Sequence, residues 1–155
     1  MHFRIRGLPA ENFAHLFALS DEELKRHGAV RRIADARDPG YPCRISLTDS
    51  KPGDELLLTN YEHHAVASPY RMRFAIYVRN GEETFDAVDC VPAQLRKRVL
   101  AVRAFDNDAL MTGWELVDGA KLEDAIERLF ADPRAAYLHA HFAAPGCYAA
   151  SIERA

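Results

Sequence analysis

Paired strand-like segments, separated by helical ones, constrain the fold of this chain more than any other feature of its sequence. Residues 99–106 and 110–117 are predicted to form a hairpin, and residues 135–142 and 147–153 a second pair joined by four residues. A doubly wound parallel sheet would require strict alternation of strands and helices, which the middle of the chain lacks. The pattern therefore predicts an α+β fold on a mainly antiparallel sheet, with three to four helices.

The remaining elements are predicted from hydrophobic periodicity and from helix-capping residues. Ser20 and Glu23 form a capping-box pattern, so a helix is expected to begin at Ser20 and to end at Gly28. The clearest helix covers residues 120–131, whose apolar side chains fall on one stripe before a proline ends it. Further helices are predicted at 9–19 and 92–98, and further strands at 3–8, 30–34, 44–48, 55–62 and 72–79.

Length and composition favour one ordinary globular domain over residues 1–155. Hydrophobic residues make up 48% and charged residues 28%, and no repeat, low-complexity tract or long linker divides the chain. The formal net charge is −3 without a block of like charges, which argues against a general binder of nucleic acid or of anionic membranes. No apolar run could span a bilayer and the first residues lack a signal-peptide core, so we expect a soluble, cytoplasmic protein.

The three cysteines, Cys43, Cys90 and Cys147, form neither a zinc-finger spacing nor the even number of a disulfide framework. In a reducing cytoplasm all three are expected to be free thiols. Cys43 follows a stiff Pro-Gly-Tyr-Pro loop and precedes Arg44, whose guanidinium would favour the thiolate that a nucleophile needs. The competing interpretation is that Cys43 is a small buried hydrophobe.

Histidines occur in two groups that could supply metal ligands, a proton relay or contacts to an anion. His63 and His64 are adjacent, so on a strand they would face opposite ways and at most one would serve a given site. His139 and His141 would share one face of a strand, which makes half of a zinc or iron site. Either group could equally be structural, with hydrogen-bonded ring nitrogens.

The predicted C-terminal hairpin limits how these groups combine. Regular pairing across its turn places His141 opposite Tyr148 and His139 opposite Ala150. Cys147 then lies on the other face of the sheet. A metal site made of the two histidines and Cys147 would therefore need a bulge or a register shift.

Arg103 shares a strand face with apolar residues, so it is expected to be partly buried, where a cation must be paired. An internal salt bridge to Asp49 or Glu115 is the favoured arrangement, because buried charges are normally paired within the protein. The alternative partner is the carboxylate or phosphate of a ligand. In that case Arg103, His139 and His141 are predicted to line one concave surface.

Five short motifs, taken in order, are similar to those of a known family. They are Pro39-Gly40-Tyr41-Pro42-Cys43-Arg44, Ser68-Pro69-Tyr70, Arg103-Ala104-Phe105-Asp106, His139-Ala140-His141 and Gly146-Cys147-Tyr148-Ala149. Together they resemble the bacterial domain-of-unknown-function family 1203 over essentially the whole chain. The resemblance implies a small, single-domain, cytoplasmic bacterial protein, and it implies no reaction, cofactor or catalytic residue.

Binding of a small anionic metabolite ranks first among the functions that the residues suggest. Arg44, Tyr70, Arg103, His139 and His141 are its candidate ligand-binding residues. The signatures of the common nucleotide-dependent, metal-dependent and serine enzymes (GxGxxG, Walker, HExxH and GxSxG) are absent from the sequence. No cofactor is therefore assigned.

Two other classes stay open. The chain could be a metal-dependent enzyme, with His139 and His141 joined by His63 or His64, or a thiol-dependent enzyme with a Cys43 nucleophile and a histidine base. On either interpretation Cys43, His139 and His141 are the candidate catalytic residues. It could also be a protein–protein or dimerisation module, so both a monomer and a homodimer are compatible with the sequence.

Overall fold

Two antiparallel sheets are the main elements of the structure, a computed structural model that describes residues 1–155 without a gap. The nine strands are β1 (Phe3–Arg6), β2 (Ala29–Ile33), β3 (Glu55–His64), β4 (Met72–Val78), β5 (Asp86–Val88), β6 (Val99–Phe105), β7 (Met111–Asp118), β8 (Tyr137–Phe142) and β9 (Tyr148–Arg154). One sheet has the order β5-β1-β9-β8-β6-β7 and the other β2-β3-β4. The predicted α+β fold on a mainly antiparallel sheet is confirmed.

Short helices connect the strands. The α-helices are α1 (Asp21–Arg26), α2 (Ala93–Arg96) and α3 (Leu122–Phe130), and 3-10 segments cover Ala10–Asn12, Ala14–Ala18 and Gly119–Lys121. The predicted capping box of α1 is present, because Ser20 Oγ accepts from the Glu23 N–H and the Glu23 carboxylate accepts from the Ser20 N–H. None of the helices has the length and apolar character needed to cross a bilayer.

The main core lies between α3 and one face of the six-stranded sheet. The apolar stripe of α3 is fully or almost fully buried, and it comprises Leu122, Ala125, Ile126, Leu129 and Phe130. Alternate residues of β6 and β8, such as Val102 and Ala140, meet this stripe from the sheet. Each large side chain buried in this way stabilises the fold by roughly 1.5–3 kcal/mol. The opposite face of the sheet is therefore left for other contacts.

The predicted strand at 44–48 is wrong. Residues Cys43 to Leu47 form a turn, in which Leu47 adopts a left-handed conformation at φ 52°. The backbone groups of this turn bond to three separate segments: the Arg44 N–H donates to Tyr77 O, Arg44 O accepts from Leu8 N–H and Ile45 O accepts from Phe85 N–H. No single partner strand faces the turn, so an apolar alternation alone does not produce a ladder here.

One further prediction needs correction, and one strand was not predicted. Residues 9–19 bury Phe13 and Leu16 as a helix would, but they form two 3-10 segments because Phe13 interrupts the helical run with φ −119°. The sequence reading also missed β5, a three-residue edge strand paired with β1.

One of the two residue pairs predicted for the hairpin of β8 and β9 is present in the structure. His141 lies opposite Tyr148 as expected, but a bulge between Ala140 and His141 shifts the next pairs, so His139 lies opposite Ser151 rather than Ala150. Cys147 and Phe142 belong to the same buried apolar cluster, and Cys147 does not join the two histidines.

Candidate functional site

Four imidazoles and one guanidinium gather on the face of the six-stranded sheet that does not carry α3. His139 and His141 lie on β8, and Arg103 lies directly opposite His139 on the neighbouring β6. The end of β3 in the second sheet brings His63 and His64 onto the same face. We call these five side chains the histidine–arginine cluster.

The rings of the cluster are within contact range of one another. Ring centroids are 4.8 Å apart for His64 and His139, 5.5 Å for His63 and His141, and 6.4 Å for His63 and His139. The ring of Tyr148 stacks on His63 at 4.8 Å. The structure therefore brings together two histidine groups that are more than 70 residues apart in the sequence.

His63 and His64 both reach the other histidines, although adjacent residues on a regular strand would face opposite ways. The pairing of β3 with β4 shifts register between Tyr61 and His64. Such an irregularity breaks the strict alternation of side chains along a strand. His63 consequently reaches His141, while His64 packs on Phe105 at 4.6 Å.

His64 has a structural role within the cluster. Its Nδ1 lies 2.8 Å from the carbonyl oxygen of Tyr70, which can only accept, so Nδ1 carries the proton and donates. Its Nε2 then accepts from the Tyr137 hydroxyl at 2.7 Å in the neutral ring. Tyr70 thus contributes a backbone carbonyl, and its side chain packs on Phe105.

The other three imidazoles have ring nitrogens without protein partners. Nδ1 of His63 is buried and makes no hydrogen bond. His141 uses only Nδ1, 3.2 Å from Gly146 O, and His139 is 93% buried yet its ring nitrogens bond to no protein group. A buried polar group without a partner costs roughly 1–3 kcal/mol, so Nδ1 of His63 would gain free energy from a ligand. The unpaired nitrogens of His139 and His141 could bond to the same ligand.

Burial keeps these three imidazoles neutral at pH 7. It lowers the pKa of His63 to about 4, of His141 to about 3 and of His139 to about 2. Neighbouring imidazoles and the Arg103 guanidinium lower these pKa values further, because a second positive charge would be repelled. Each ring therefore offers one donor and one acceptor.

Arg103 has no acidic partner, which overturns the favoured expectation of an internal salt bridge. Asp49 pairs with Arg98 at 2.9 Å and Glu115 with Arg128 at 2.7 Å. The one polar contact of the Arg103 guanidinium is the Met72 sulfur at 3.7 Å. Partial burial lowers the pKa of Arg103 from its ordinary value, but a guanidinium stays charged at neutral pH.

An apolar shelf borders the cluster at the sheet edge. Trp114 on β7 lies directly opposite Arg103 and is 74% exposed, and Leu116 lies opposite Ala101 and is 72% exposed. Opposed residues of an antiparallel pair share a face, so both side chains stand beside the cluster. The other face of β7 is occupied by Glu115, which binds Arg128 of α3.

The predicted metal candidates come together without forming a coordination set. No three histidine, cysteine, aspartate or glutamate side chains in the structure are arranged so that they could hold a metal ion. His64 in particular has both ring nitrogens engaged. The cluster as it stands is better suited to donating hydrogen bonds than to ligating a cation.

Arg44 lies outside the histidine–arginine cluster, in a cavity of about 480 Å³ between the loop at Pro39–Pro42 and the β8–β9 turn. Its guanidinium donates from Nε to Tyr148 O at 2.7 Å, from Nη1 to Pro42 O at 2.5 Å and from Nη2 to Cys147 Sγ at 2.9 Å. We call this cavity the arginine cleft.

Cys43 is completely buried in an apolar cluster, and all three cysteines are free. The guanidinium expected to activate its thiol instead contacts the sulfur of Cys147. The structure therefore favours the interpretation of Cys43 as a packing residue.

Sequence reasoning missed three side chains of these sites. Tyr137 shares strand parity with His139 and His141, so the two-residue period could have identified it. Tyr148 could likewise have been identified from its predicted pairing with His141. Arg98 gave no comparable signal, because its role depends on long-range packing.

Comparison with known proteins agrees with the motif resemblance. A family model described as "Protein of unknown function (DUF1203)" matches residues 40–154, which include both sites except for the first residues of the cleft loop. Comparison with curated proteins and with solved structures yields no match. Because the matched segment covers well over half of the sequence, the chain belongs to the DUF1203 family.

Proposed function

We propose that this protein binds a small anionic metabolite at the histidine–arginine cluster. The observation that carries the proposal is the Arg103 guanidinium, which is partly buried, contacts no carboxylate and stands beside imidazoles with unpaired nitrogens. A cation removed from water is costly unless it is paired. A carboxylate or phosphate would pair it and would fit the planar fork of donors that arginine presents.

The neutral imidazoles support the same ligand class. His139 lies directly opposite Arg103, and His141 lies two residues further along β8; both can donate ring N–H groups to anion oxygens. A bound anion would also stabilise their protonated forms, because opposite charges a few ångströms apart attract. Affinity for an anion is therefore expected to increase as the pH falls.

The apolar shelf suggests that the anion has an apolar or aromatic part. Trp114 is the one tryptophan of the chain and stands next to Arg103, so an aromatic carboxylate held by Arg103 would contact its indole ring. Stacking on an exposed aromatic ring is favourable by about 0.5–1.5 kcal/mol beyond the area that it buries.

Replacing Arg103 by glutamine is expected to weaken anion binding at least ~10-fold, because hydrogen bonds to a charged group contribute about 1.5–3 kcal/mol. Benzoate and inorganic phosphate are suitable probes, and Trp114 fluorescence is the measurement. The matched control is Arg73→Gln, which removes an exposed guanidinium that bonds only to Asn60. Equal affinities for the wild type and Arg103→Gln, or no fluorescence change with either anion, would contradict the proposal.

A specific observation also supports a second candidate, a dimerisation surface. Trp114 and Leu116 on the edge strand β7, and Val99 on the adjoining β6, are all more than half exposed. Exposed apolar residues on an edge strand favour association with another chain. If this surface pairs two copies, sedimentation velocity will show a concentration-dependent dimer, and Leu116→Lys will shift it to monomer.

A metal-dependent enzyme with His63, His139 and His141, and a thiol enzyme with Cys43, have weaker support. The imidazoles lack a coordinating arrangement, and the thiol is fully buried. Metal analysis of the purified protein tests the first, and labelling with iodoacetamide tests the second.

A further inference from the structure

We propose that the arginine cleft is a second binding site, which takes a small anion carrying an aromatic ring. The site is separate from the histidine–arginine cluster and does not depend on the function proposed for that cluster. Its volume of about 480 Å³ falls in the range of cavities that hold small molecules, roughly 300–1,000 Å³.

The charge of the cleft requires an anion. Three guanidiniums line it, from Arg37, Arg44 and Arg98. Asp35 pairs with Arg37 at 3.2 Å and Asp49 pairs with Arg98 at 2.9 Å, whereas no carboxylate lies within ion-pair distance of Arg44. One positive charge is therefore left without a counter-charge from the protein.

Burial and hydrogen bonds hold the Arg44 side chain in place. It is 99% buried, and its three hydrogen bonds go to two backbone carbonyls and the Cys147 sulfur. A guanidinium has five N–H donors, so two of those of Arg44 make no hydrogen bond to the protein. An anion in the cleft would supply the missing counter-charge.

The walls of the cleft are aromatic, which indicates the rest of the ligand. Tyr41 and Tyr77 lie with ring centroids 5.0 Å apart on one side. Phe142 forms the other side, with the Arg44 and Arg98 guanidiniums over its ring at 4.8 and 5.1 Å. The guanidiniums cover Phe142, so an aryl ring would pack on the half-buried tyrosines, with its carboxylate or phosphate directed toward Arg44.

A second cavity gives less support for a binding site. A surface pocket around Arg79, Asp54 and Glu82 is lined only by polar residues, and its guanidinium is already paired with both carboxylates. The Arg79 charge in this pocket is therefore already satisfied.

The proposal is tested with benzoate and phenyl phosphate as probes and benzyl alcohol as the neutral control, using backbone amide NMR shifts. We expect both anions to shift the amides of Gly40, Val99 and Ala143, which line the cleft, with saturation. The amides of Gly113 and Ser151, beside the histidine–arginine cluster, report on the other site. Arg103→Gln is expected to leave the cleft shifts unchanged, so failure of one proposal is distinguishable from failure of the other.

Substitutions of Ala144 supply the charge test without altering the core. Ala144 is exposed on the β8–β9 turn and lines the cleft. Ala144→Lys is expected to strengthen and Ala144→Asp to weaken anion binding, each by about two- to five-fold, as expected for charges near a protein surface. The same pair at Ala67, an exposed loop residue outside the cleft, is the matched control.

Three results would overturn the proposal. They are the absence of shifts at the cleft amides with either anion, equal binding of benzyl alcohol, and equal affinities for Ala144→Lys and Ala144→Asp. The second of these would identify an apolar cavity in which the Arg44 charge has no part.

Discussion

Lowering the pH from 7.5 to 5 is expected to reduce the free energy of unfolding by about 4 kcal/mol through His139 and His141 alone. Both imidazoles are neutral in the folded protein, since burial lowers their pKa values to about 2 and about 3. In the unfolded chain they take up protons near their ordinary pKa of about 6.5. The unfolded state therefore binds more protons, and the stability present above pH 6.5 is lost as the pH falls toward the folded pKa values.

The surroundings of these imidazoles determine the size of the effect. His63, whose pKa is lowered to about 4, contributes in the same direction, and Arg103 and His64 face the same group of rings. No carboxylate raises the pKa of His139, because the titratable groups that act on it are His63, His64, His141 and Arg103.

Urea denaturation at a series of pH values measures this dependence. Its slope with pH gives the number of protons taken up on unfolding, and His139→Gln should lower that number by nearly one near pH 5. His15→Gln is the control, because His15 lies exposed on a 3-10 segment far from the cluster in sequence. A free energy of unfolding that stays constant from pH 7.5 to 5 would show that the histidines remain hydrated in the folded state.

Replacing Arg44 by methionine is expected to lower the free energy of unfolding by about 3 kcal/mol. The carbonyl oxygens of Tyr148 and Pro42 would lose their donors, and each buried acceptor left unpaired costs roughly 1–3 kcal/mol. Methionine retains much of the apolar contact with Phe142 and introduces no charge, so the lost hydrogen bonds dominate the change.

Chemical denaturation measures the effect of Arg44→Met, with Arg37→Met as the control. Arg37 lines the same cleft but is exposed, so its removal is expected to change the free energy of unfolding by less than about 0.5 kcal/mol. Arg44→Lys should lie between the two, because an ammonium keeps the charge and lacks the planar fork. An unchanged stability of Arg44→Met would mean that desolvation of the unpaired charge cancels its hydrogen bonds.

The elements that could be predicted are those whose residues alternate or repeat along one face. The helix at residues 120–131 has a clear apolar stripe, and the strands of the two hairpins alternate, so local pattern and tertiary burial agree there. The segment at 44–48 has a similar apolar content, but its backbone bonds to three different segments. Periodicity carries no information about partners that are distant in sequence.

The candidate site, too, could be predicted from the sequence only in part. The shared face of His139 and His141, with Arg103 beside them, followed from strand parity. Their meeting with His63 and His64 depends on the packing of one sheet against another, and the missing partner of Arg103 depends on where Asp49 and Glu115 are used. Which charged residues pair depends on the folded structure, because alternative ion pairs of similar energy cannot be ranked from their spacing in the sequence.

Tyr148 contacts residues of both proposed sites. Its carbonyl oxygen is bound by Arg44 in the arginine cleft, and its ring stacks on His63 in the histidine–arginine cluster. Any displacement of this residue that accompanies ligand binding on one side alters the contacts on the other. If both proposed ligands bind, each would then change the affinity of the other by the same factor. One buried tyrosine is thus the residue through which the two proposed sites would communicate.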